Sequence, residues 1–112
     1  MRDQALYLRD ILAAIESIRA FIWGMDSGAF QADDKTLSAV VRKFEIIGES
    51  VKHSPEGMRQ MYPRLPWRAV AGMRDRLIHF YFGVDAGLVW QTVQEGLPVL
   101  EEAVRQMLQD QQ

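Results

Sequence analysis

Apolar residues recur along this chain at the three- and four-residue steps of an amphipathic helix, and almost nowhere at the two-residue step of a strand. Leu8, Ile11, Leu12, Ile15, Ile18 and Ile22 keep that spacing, which predicts a first helix over about residues 3–23. Gly24 and then Met25-Asp26-Ser27-Gly28 break it. Asp33 or Asp34 is placed to cap a second helix, with Leu37, Val40, Val41, Phe44, Ile47 and Val51 as its buried stripe. Gly48 lies on that stripe, where a glycine costs roughly 1 kcal/mol against alanine unless a neighbour approaches closely.

Ser54-Pro55-Glu56 combines an N-cap, a first-turn proline and a first-turn acid, and so predicts a short helix ending near Tyr62-Pro63. Pro66 opens another helix from about Trp67 to Phe82, which Gly83 terminates. Asp85 caps a last helix from about Ala86 to Gln109, with Leu88, Val89, Val93, Leu97, Leu100, Val104 and Leu108 on its inner side. Pro98 removes the bond to the Gln94 carbonyl and predicts a kink, eased by Gly96. The tail Gln109–Gln112 is expected to fray. The sum is an all-α antiparallel bundle of four to five helices in one domain, residues 1–112.

Composition narrows the functions. The chain has 112 residues, no cysteine and a net charge of −2. Disulfides and thiolate metal sites are excluded, and a dedicated duplex-DNA binder would carry more positive charge. No run of about 18 apolar residues exists to span a membrane. The N-terminus enters the amphipathic pattern directly and does not read as a signal peptide, so the expected location is the cytoplasm. The charge is uneven. Arg59, Arg64, Arg68, Arg74 and Arg76 fall within eighteen residues that contain a single acid, Asp75. This is either a solvated arginine face or a basic patch for an anionic partner. On the second view Arg68 and Arg76 are candidates to contact RNA.

The chemistry concentrates in Arg74-Asp75-Arg76-Leu77-Ile78-His79-Phe80-Tyr81. Wound at 100° per residue, Trp67, Val70, Ala71, Leu77, Ile78 and Tyr81 all fall within about 60° of Arg74. The guanidinium therefore sits in the apolar stripe, where it needs an anion to offset its desolvation. Arginine holds phosphate bidentately and histidine moves protons near neutral pH. Together they suffice for metal-free RNA cleavage, in which a base takes the ribose 2′-hydroxyl proton and a cation stabilises the growing phosphorane charge. Asp75, one turn before His79, is placed to orient the imidazole. Arg74 and His79 diverge by about 140° on an ideal helix, so a composite site across a homodimer axis is the natural way to bring them together. The structural alternatives are an ion pair of Arg74 with Glu45 or Glu49, a simple helix-end hydrogen bond for His79, and a core role for Tyr81. His53, beside Lys52 at the end of the second helix, reads as an exposed C-terminal residue. Two distant histidines make no zinc site, and no cofactor is expected.

Arg74-x4-His79-x-Tyr81 resembles the Arg-x4-His-x-Tyr motif of HepT-like HEPN domain proteins. Phe44-Glu45-Ile46-Ile47-Gly48-Glu49, Tyr62-Pro63-x-x-Pro66-Trp67, Tyr81-Phe82-Gly83-Val84-Asp85, Val89-Trp90 and Leu97-Pro98 resemble the flanking words of that family in order. The resemblance runs from Tyr7 to about Leu108. It implies a HEPN bundle, usually homodimeric, acting as a toxin through metal-independent RNA endonuclease activity. The catalytic residues it implies are Arg74 and His79, to which the placement one turn before His79 adds Asp75. The implied partner is an MntA-like nucleotidyltransferase antitoxin that transfers AMP to Tyr81. AMP there would add bulk and negative charge beside the RNA site. One position departs: the family often carries Asn after the arginine, where this chain has Asp75. A carboxylate there repels phosphate and raises the pKa of a nearby imidazole. The alternative reading is a non-catalytic accessory subunit that presents nucleotide or RNA to a nucleotidyltransferase.

Overall fold

The computed structural model describes residues 4–53 and 85–110. Four helices account for nearly all of them: α1 (Gln4–Phe21), α2 (Ser27–Gln31), α3 (Asp34–Lys52) and α4 (Ala86–Asp110). No strand occurs among the described residues. The short helix expected from Ser54 and the helix expected over Trp67–Phe82 lie outside them.

Each boundary has a local cause. Gly24, at φ +77°, turns the chain after α1 in a conformation that other residues rarely adopt. Asp26 is extended and its side chain accepts a 2.8 Å hydrogen bond from the Ala29 amide, which opens α2. Asp33 caps α3 more fully. Its carboxylate accepts from the Thr36 amide at 3.0 Å and from the Thr36 hydroxyl at 2.9 Å. Those two bonds, the amide first, hold the Asp33 carboxyl below its ordinary range. Asp85 accepts from the Leu88 amide at 3.1 Å at the head of α4. α4 runs unbroken past Pro98, which is exposed.

The helices share one apolar cluster. Leu8, Ile11, Ile15 and Ile18 of α1 meet Val40, Phe44, Ile47 and Val51 of α3 and Val89, Val93, Leu97, Leu100, Val104 and Met107 of α4. Phe30 of α2 is fully buried, with its ring 5.3 Å from that of Trp90. α1 runs antiparallel to both long neighbours. Tyr7 at its start stacks on His53 at the end of α3, while Arg19 and Glu16 near its end reach Glu101 and Arg105 of α4. Arg19 meets Glu101 at 2.7 Å and Arg105 meets the same carboxylate at 3.2 Å. Arg19 above all, then Arg105, holds the Glu101 carboxyl below its ordinary range against the opposing effect of burial.

Three features differ from the sequence expectation. α2 is a helical turn where a plain break is expected. Leu88, placed on the inner side of α4 by sequence, is 45% exposed. It lies about 140° from Val93 on the helical wheel, on the solvent side. Ala103 and Met107 take core positions instead. No described helix is long and apolar enough to cross a membrane.

Candidate functional site

Arg68, Arg74, Asp75, Arg76, His79 and Tyr81 all lie outside the described residues. The described structure ends on one side of them at His53, the cap of α3, and resumes on the other at Asp85, the cap of α4.

His53 is where the sequence places it, at an exposed helix end. Its amide donates to the Glu49 carbonyl at 3.3 Å, and its side chain is 53% exposed. Two further contacts give it a fixed setting. Nε2 lies 3.2 Å from Glu49 Oε1 one turn earlier, and the imidazole stacks on the Tyr7 ring with centroids 5.2 Å apart and planes 16° from parallel. The Tyr7 contact joins the start of α1 to the end of α3. It was not legible in the sequence, because no local spacing relates the two residues.

The same corner holds an open cleft of about 410 Å³ between α1 and α3, with Asp10, Glu45 and Glu49 among its walls. Arg42, also in the wall, donates to Glu45 at 3.1 Å. The two glutamates that the sequence offers as structural partners for Arg74 therefore face Arg42 and His53 respectively. Among the described residues the walls of the cleft carry three carboxylates against Arg42 and His53. Among the described residues no group of three or more His, Cys, Asp or Glu side chains could hold a metal ion.

Comparison with known proteins assigns the bundle. The family model for ribonuclease HepT-like proteins matches residues 11–107, and the chain belongs to that family, whose domain is the HEPN bundle. A protein of Thermococcus cleftensis named "Probable ribonuclease HepT" is 47% identical over 100 residues, covering 89% of this chain and 91% of that one. A candidate RNase of Caldanaerobacter subterraneus subsp. tengcongensis is 39% identical over 109 residues, 97% of each chain. A candidate RNase of Methanocaldococcus jannaschii is 39% identical over 109 residues, 97% of this chain and 94% of the other. No solved structure gives a significant match.

Proposed function

We propose that this protein is a HEPN ribonuclease toxin that cleaves RNA without a metal ion and is silenced by AMP transfer to Tyr81. One observation carries the reading: a chain of the HepT-like ribonuclease family holds Arg74, His79 and Tyr81 at Arg-x4-His-x-Tyr spacing.

The chemistry follows from those groups. His79 takes the proton of a ribose 2′-hydroxyl, whose oxygen then attacks the adjacent phosphorus. The bond from phosphorus to the 5′-oxygen breaks, and a proton returns to that oxygen. The products are a 2′,3′-cyclic phosphate and a 5′-hydroxyl end. Arg74 stabilises the charge on the non-bridging oxygens, Asp75 orients His79, and Arg68 and Arg76 hold flanking phosphates. DNA lacks the nucleophile and is not a substrate. A homodimer completes the site, since a five-residue spacing on an ideal helix would put Arg74 and His79 about 140° apart. The antitoxin is a nucleotidyltransferase of the MntA kind. It directs the Tyr81 hydroxyl onto the α-phosphorus of ATP with loss of pyrophosphate, leaving an anionic group that excludes RNA.

The test is cleavage of an RNA, and of the same RNA with 2′-deoxy substitutions, by purified protein in EDTA. The wild type should cut only the unmodified strand, and His79→Ala should lose at least about a hundredfold in rate with its helical spectrum unchanged. Full activity in His79→Ala would reject the catalytic role, and loss of cleavage in EDTA would reject the metal-free mechanism. RNA binding without any cleavage by the wild type would favour the accessory-subunit reading.

A further inference from the structure

We draw no further inference here: the strongest candidate, the open cleft between α1 and α3 around Tyr7, Asp10, Arg42, Glu45, Glu49 and His53, is an acidic cluster in which Arg42 meets Glu45 and His53 meets Glu49, and nothing in the structure shows what covers it.

Discussion

Phe30→Ala is the sharpest test of the described fold, because α2 has little else to hold it. A five-residue helix has no stability of its own in water, since nucleation costs more than one turn returns. Its place depends on burial, and Phe30 is its one buried side chain, at 0% exposure. The ring packs 5.3 Å from Trp90 at an interplanar angle of 41°. Truncating a buried phenylalanine removes the transfer energy of the ring and leaves a cavity, together about 3–5 kcal/mol. Of that, about 0.5–1.5 kcal/mol belongs to the aromatic pair and should appear as coupling in a cycle of Phe30→Leu with Trp90→Leu. Domains of this size are stable by roughly 5–15 kcal/mol, so the loss takes a large share. At about 4 °C per kcal/mol the melting point should fall by about 12–20 °C. Urea denaturation followed by circular dichroism, at one fixed protein concentration, gives the free energy. Trp23→Ala is the control, since its side chain is 88% exposed and its loss should fall within about 0.5 kcal/mol of neutral. A Phe30→Ala penalty below about 1 kcal/mol, or one matched by Trp23→Ala, would show that α2 does not dock as described.

Other expectations follow from the caps, the α1–α4 clasp and the proposed modification. Glu101→Gln should cost about 0.5–1 kcal/mol at neutral pH, because Arg19 is partly solvated and the pair is screened. The Glu101 carboxyl is held below its ordinary 4.5 in the folded chain, so its contribution is complete above that value. It vanishes as pH falls through the lowered folded value, and denaturation curves of the two proteins should converge in acid. Asp85→Ala should destabilise by about 1 kcal/mol through loss of the bond from the Leu88 amide, and Asp85→Asn should stand close to wild type. Tyr81→Phe should gain no mass when incubated with ATP and the nucleotidyltransferase, while the wild type gains it in AMP-sized steps. Equal gain in both would move the acceptor elsewhere.

Much of the scaffold is legible in the sequence because each long helix buries one stripe. α1, α3 and α4 have room for several repeats of the helical period, and the caps of α3 and α4 are aspartates at the expected offsets. α2 has a single turn, too short for any period. Its only local sign is Asp26 three residues before Ala29, with Phe30 beside it. Leu88 misleads because its apolar character says nothing of direction, while Ala103 and Met107 take core positions three residues after Leu100 and Val104 respectively. The Tyr7–His53 stack joins opposite ends of two helices and depends on tertiary packing. For the candidate site, the spacing of Arg74 and His79 alone specifies little, since many helices contain it by chance. Its meaning comes from the order of the surrounding words and from the family match over residues 11–107.

The dimeric form of the proposed site can be tested by complementation between two dead variants. Arg74→Ala lacks the phosphate clamp and His79→Ala lacks the proton carrier, and each homodimer should be inactive. Suppose the two groups of one site come from different copies. A mixed dimer then has one site with the Arg74 of one chain facing the His79 of the other, and a second site with neither. Unfolding and refolding an equimolar mixture makes about half the dimers mixed, each with one of its two sites restored. Cleavage should return to about a quarter of wild type. If both groups of each site come from the same copy, every site in every dimer lacks one of them, and the mixture stays as inactive as its parts. Mixing without refolding controls for contamination, since intact homodimers should stay silent until subunits exchange. Recovered activity requires the guanidinium of one protomer to work on the phosphate whose neighbouring hydroxyl the other protomer's imidazole deprotonates. A flat result after verified exchange would move the site into single protomers, where the helix would have to distort to bring Arg74 and His79 together.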